Sequence, residues 1–241
     1  MIRLDALLAR NLGCSKTAVA ALIADGRVLD SEQRPFDDRR RGIDEALLPL
    51  SVIVDGDARK LVAEAHVLLN KPLGVVTALR DPVHRTAYEL LRAAPLHAEL
   101  RPVGRLDLDT TGLLLWTTEG AWVQRLTHPK RKVPRTYQAA LARPARPLTP
   151  DLVLEDGHQP QIERLEALEP ADIHPALVAP PGTADFATIT VVGGAYHEVR
   201  RIFAALGSHV LGLCRVRFGA LALPNDLAVG KFLPVDITRA I

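Results

Sequence analysis

In the stretch GRLDLDTTGLLLWTTEG, Gly104 to Gly120, a polar turn carrying Arg105, Asp107 and Asp109 runs straight into the apolar run Leu113-Leu114-Leu115-Trp116. Such a run calls for a buried strand, so the chain must hold carboxylates beside a segment that excludes water. Burial alone drives an aspartate toward its neutral form, and a neighbouring cation opposes that. Arg105 lies two residues from Asp107, and folding could bring up the adjacent pair Arg200-Arg201. Neighbours on a helix point about 100° apart, so at most one of the two can face a given carboxylate squarely. By itself the DTTG sequence equally describes an Asx turn in which Thr110 and Thr111 play a cap-like part, and composition alone favours that structural role.

The surrounding chain reads as strands interspersed with helices. Residues 1–60 form a region of their own: a helix around Leu4, Leu7, Leu8 and Leu12, a stop at Gly13, and a second helix capped by Ser15. Strands are expected at RVLD and LSVIVDGD, and residues 55–65 read as a linker. Over 61–241, HVLLNKPLGVVTAL predicts two strands around Asn70-Lys71-Pro72, TAYELLRAA a helix, and LLLWTT and RTYQAALA strands flanking a helix at AWVQRLT. ATITVV predicts a strand, HEVRRIFAALG a helix with Val199, Ile202, Phe203 and Leu206 on one face, and LCRVRFGALAL further strand. Without a regular βαβ rhythm this is an α+β chain with a mixed, mainly antiparallel sheet.

Composition narrows the chemistry. At 241 residues and 48% hydrophobic, the chain can bury a real core. Its two cysteines, Cys14 and Cys214, lack metal-ligand or redox spacing, and no metal site is expected. No secretory leader or bilayer-spanning run is read, so a cytoplasmic protein without membrane association is expected. The net charge of +2 conceals an uneven distribution: residues 105–146 carry eight Lys/Arg against three Asp/Glu, and residues 148–190 one Arg against eight acids. The basic segment could face phosphates, although a run such as HPKRKVPRTY is also what a solvated loop looks like. No G-x-S-x-G elbow, Walker loop, dinucleotide fingerprint or H-E-x-x-H helix occurs. His197 reads as a capping or structural contact.

PVGRLDLDTTGLLLWTTEG resembles the signature of the RsuA/RluB/RluE/RluF family of pseudouridine synthases. LLNKPLGVV, RKVPRTYQ and GGAYHEVRRIFAALGSHVLGLCRVRFGALAL resemble that family's other motifs in the same order, and residues 1–60 resemble an S4 RNA-binding domain. The resemblance implies a pseudouridine synthase catalytic domain at 61–241 acting on ribosomal RNA. The small-subunit 16S RNA is favoured, a large-subunit site of the RluB, RluE or RluF type is the alternative, and a non-catalytic assembly factor is a further one. It implies Asp107 as the catalytic aspartate, Tyr137 stacking on the flipped base, and Arg200 pairing with Asp107. Arg105 would hold the RNA open, Leu213 would wall the pocket, and Lys71 would lie near it. Isomerisation gains and loses no atoms, so no cofactor is expected; the partner is ribosomal RNA or a pre-ribosomal particle, and the protein is expected to be a monomer. Two residues depart from the pattern: Arg135 stands where a lysine is usual, and Glu198 where a glutamine is usual.

Overall fold

The chain divides into two units, residues 1–65 with 93–100 and residues 66–92 with 101–241, in a computed structural model that describes residues 1–241. In the first unit, strand β1 (Ile2–Arg3) leads into helix α1 (Leu4–Leu12), which Gly13 ends in a left-handed conformation. Helix α2 (Lys16–Ala24) begins on Ser15, whose hydroxyl accepts from the Ala18 N–H at 3.1 Å. Strands β2 (Val28–Leu29), β3 (Gly42–Ile43), β4 (Leu50–Val54) and β5 (Asp57–Leu61) follow, with β2, β4 and β5 forming an antiparallel sheet and β3 pairing β1. Leu4, Leu7 and Leu8 of α1 pack with Val19, Val28 and Leu61 in this unit's core.

The linker expected at 55–65 is instead the second arm of a hairpin. Asp55 and Gly56 both have positive φ, 53° and 85°, the geometry of a two-residue turn that Asp-Gly favours. Asp57, Ala58, Arg59 and Lys60 are all exposed. Their polarity is what made an edge strand look like a linker.

The second unit contains β6 (His66–Lys71), β7 (Arg101–Pro102), β8 (Thr110–Thr117), helix α3 (Gly120–Thr127), β9 (Arg135–Leu141), β10 (Ile162–Ala167) and β11 (Asp185–Val191). Helix α4 (Glu198–Ala205), β12 (Val210–Phe218), β13 (Leu221–Ala222) and β14 (Phe232–Pro234) complete it. The sheet runs β10-β11-β9-β12-β8-β6-β14, with β7 on β8 and β13 on β12; only β8 and β12 run parallel. It is the mixed, mainly antiparallel sheet that the sequence predicts. All eight residues of β8 are buried, as the Leu113–Trp116 run demands. On α4, Val199, Ile202 and Phe203 pack with Leu206 against Ala139, Leu141 and Ile189 of the sheet.

Two expectations fail here. No second strand follows Asn70-Lys71-Pro72, since β6 already has β8 and β14 on its two edges; residues 73–79 form turns with one isolated bridge, Val76 to Thr86. TAYELLRAA makes only a 3-10 turn, Ala87–Leu91, with Thr86 and Glu89 forming a capping box. Pro95 closes off helical continuation, because it disfavours helical backbone at Ala94.

Candidate active site

Strand β12 lies between β9 and β8, and its register assembles the site. Leu213 sits opposite Thr110 and Ala139, and Arg215 opposite Gly112 and Tyr137. The parallel contact is unusually close at Gly112, whose φ is 98°. A β-carbon there would stand 2.4 Å from the Arg215 carbonyl oxygen and 2.7 Å from Cys214 Sγ. Glycine is therefore what lets the carboxylate-bearing turn enter β8 beside β12.

The main chain of that turn is held from the segment expected to be a strand. The Thr77 hydroxyl donates to the Leu106 carbonyl at 2.8 Å and accepts from its N–H at 3.1 Å, and the Gly74 N–H donates to the Leu108 carbonyl at 2.9 Å. Asp107 is thus fixed on the rim of a cleft of about 490 Å³ that Arg105, Tyr137, Arg200, Leu213 and Arg215 also line. Five of the six residues predicted for the site meet there. The sixth, Lys71, is fully buried beneath, its Nζ donating to the carbonyls of Thr110 at 2.7 Å and Pro72 at 3.0 Å. Burial pulls its pKa down to about 8, against the opposing pull of Asp107 and Asp109 and with added repulsion from Arg215.

The expected Arg200–Asp107 ion pair does not form. Arg200 Nη2 reaches Asp109 Oδ2 at 2.9 Å and that residue's carbonyl at 3.2 Å, and its Nη1 donates to the Val210 carbonyl at 3.0 Å. One charged side chain so ties the turn before β8 to the start of β12. The partner at Asp107 is His197, with Nε2 3.6 Å from Oδ2. Nor is the local cap realised: Thr110 Oγ1 is buried without a hydrogen-bond partner, and Thr111 Oγ1 donates to the Ala176 carbonyl at 2.7 Å.

Sequence reasoning missed His197, Thr77 and Arg215. His197 occupies the residue before α4 with φ of 49°, donates no cap, and turns its ring toward Asp107. Arg215 is buried, donates Nε to the Leu113 carbonyl at 2.8 Å and lies over the Phe218 ring, which Arg135 also approaches. Burial and Arg215 together lower the Arg135 pKa, while Tyr137 and Glu198 act to raise it. Glu198 does point inward, but not at Arg200: its Oε1 meets His158 Nε2 at 2.9 Å and its Oε2 is buried without a partner. A β-carbon at Gly193 would lie 2.8 Å from both carboxylate oxygens, so that glycine makes room for the acid. Cys214 is no candidate nucleophile, because burial raises its pKa to about 11. The cleft therefore offers a half-exposed carboxylate, two tyrosine rings and four arginines, a set suited to a polyanion whose sugar or base reacts at Asp107.

A sequence model of the RNA pseudouridylate synthase family matches residues 65–205, which carry most of the cleft's lining, Asp107 and Tyr137 included, while Leu213 and Arg215 of β12 lie beyond the match. The ribosomal small subunit pseudouridine synthase A of Yersinia pestis is 33% identical over 97% of this chain and 94% of its own length. Its counterpart from Escherichia coli K12 is 33% identical over 97% of this chain and 96% of its own. A crystal structure of a pseudouridylate synthase superposes with a TM-score of 0.60 at 27% identity, covering all of both chains. The chain belongs to the RNA pseudouridylate synthase family, and it is an isomerase that converts uridine to pseudouridine in RNA.

Proposed function

We propose that this enzyme isomerises one uridine of the 16S RNA of the small ribosomal subunit, working as a monomer in the cytoplasm where that RNA is assembled. The relatives named for the small subunit align over nearly the whole chain, the first unit included, and support this substrate. The observation that carries the site assignment is the placement of Asp107 beside Tyr137 in a cleft with four arginines. The arginines neutralise phosphates flanking the target, and Arg105, exposed at the rim, keeps the strand open once the base has left its stack. Tyr137 receives the extruded uracil on its ring. The Asp107 carboxylate then acts on the ribose, as a nucleophile at C1′ or a base toward the 2′ proton, and the C1′–N1 bond breaks. Uracil turns within the cleft and bonds to C1′ through C5. The C5 proton departs and N1 ends protonated, so atoms balance without a co-reactant. Leu213 and buried β8 keep bulk water from the sugar during the exchange.

Isomerisation expels the hydrogen at C5, so RNA labelled with tritium at that position releases counts to water on turnover. Asp107→Asn is expected to abolish release from 16S RNA isolated from cells lacking the protein, while filter retention of that RNA is unchanged. Wild-type rates in the variant would remove Asp107 from the mechanism. Mapping pseudouridines in cells with and without the protein locates the target: a lost large-subunit position would move the substrate to 23S RNA.

A further inference from the structure

We propose that Tyr196 is a stacking platform for a nucleobase adjacent to the isomerised uridine, an inference that rests on the function just argued and extends it to a neighbouring nucleotide. The Tyr196 side chain lines the same cleft as Asp107, yet its ring is not part of any core: the residue is 78% exposed. The ring is nonetheless held in place. It lies nearly parallel to the His197 ring, with centroids 3.8 Å apart and planes 16° from coplanar. The left-handed backbone at His197 sets the two consecutive rings side by side, and Arg201 Nη1 donates to the Tyr196 carbonyl at 3.4 Å. Arg201 is itself paired with Asp156, which anchors the first turn of α4.

One face of Tyr196 is therefore covered by imidazole and the other is open. Through His197, whose Nε2 is 3.6 Å from Asp107, the open face is tied to the reacting carboxylate. An aromatic face exposed to water suits a flat aromatic ligand, and its stacking on His197 lowers the ordering cost of binding. RNA supplies such a ligand at this point. Extruding the target base strips a stacking partner from its neighbour, and Tyr196 replaces that partner. Because every base has such a face, the platform serves strand opening without reading sequence.

The test uses the full chain and 16S RNA from cells lacking the protein. Tyr196→Phe keeps the ring and is expected to retain kcat/KM for tritium release within about two-fold; Tyr196→Ala and Tyr196→Leu are expected to lose about ten-fold. All three should keep the wild-type thermal midpoint, given the exposure of the residue. A second readout does not depend on turnover. In an Asp107→Asn background, Tyr196→Trp adds an exposed fluorophore to a chain whose own tryptophans are the buried Trp116 and the partly buried Trp122. Its added emission should be quenched as RNA saturates the protein. Unchanged kcat/KM in Tyr196→Ala, or unquenched emission at saturating RNA, overturns the platform. Wild-type protein that releases no tritium from this RNA overturns the assigned substrate instead, and leaves the fluorescence result to be read on its own.

Discussion

Lys71 is the most informative residue to perturb, because its burial and its bonding pull in opposite directions. In Lys71→Met, two charge-assisted hydrogen bonds are lost, to the Thr110 and Pro72 carbonyls. At about 1.5–3 kcal/mol each, their loss destabilises. Against this, the variant escapes the desolvation that moves the ammonium from 10.5 to about 8, which costs the folded state roughly 3 kcal/mol near neutral pH. The second partly offsets the first, so near pH 7 the variant should be less stable by under about 3 kcal/mol. The pH dependence separates them. Between about pH 8 and 10.5 the unfolded lysine still holds its proton while the folded one has released it, so wild-type stability rises with pH through that window. The variant lacks this group, and the gap between the two should widen by about 2 kcal/mol from pH 7 to pH 9.5. Urea unfolding of both proteins at the two pH values measures it. A gap that stays constant would falsify the reading of Lys71 as a buried ammonium near its titration point.

The other tests address the turn that presents Asp107. Thr77→Val keeps shape but leaves both the N–H and the carbonyl of buried Leu106 without the hydroxyl; a loss of about 1–3 kcal/mol and a larger fall in kcat than in RNA affinity are expected. Equal kcat in tritium release would show that the clamp does not position the carboxylate. Gly112→Ala forces a β-carbon to within 2.4 Å of the Arg215 carbonyl at a φ of 98°, and should destabilise by at least about 2 kcal/mol in urea unfolding. A variant as stable as wild type would mean that β8 and β12 part easily at this point.

What could be read from the sequence was mostly local or strongly patterned. Helices α1 and α2 announced themselves through leucine spacing, Gly13 and Ser15. Strand β8 showed in an apolar run with no polar face, and α4 in Val199, Ile202, Phe203 and Leu206. Motif resemblance singles out Asp107, Tyr137, Arg200 and Leu213, and the fold brings them to one cleft. The failures share a cause: each turned on a long-range partner. Thr77 is one threonine in an apolar stretch until Leu106, 29 residues away, uses its hydroxyl. Residues 73–79 carry strand-forming side chains, but both edges of β6 are taken. Arg200 could have met either carboxylate of Leu106-Asp107-Leu108-Asp109, and no local rule separates residues two apart across 91 positions.

That exchange of partners bears on how an aspartate is presented beside a buried strand. Had Arg200 bonded Asp107, the pair would occupy the oxygens that the proposed mechanism brings to ribose. Arg200 instead grips Asp109, whose side chain is 62% exposed, and uses it as a handle on the turn. The Asp107 side chain is 40% exposed with the His197 ring as its neighbour, Nε2 3.6 Å from Oδ2, and so avoids the penalty of a buried charge. In the proposed mechanism the hazard comes when the nucleotide fills the cleft and excludes solvent. At that moment the positive surroundings count most: Lys71 beneath the turn, and Arg215 and Arg135 already desolvated against Phe218, act through a medium whose screening has just fallen. Those cations were desolvated on folding, so the field they supply needs no rearrangement during the reaction. The apolar strand behind the turn belongs to the same arrangement: it excludes water from one side while, in the proposed complex, the substrate excludes it from the other, and the carboxylate lies between them with no arginine on its oxygens.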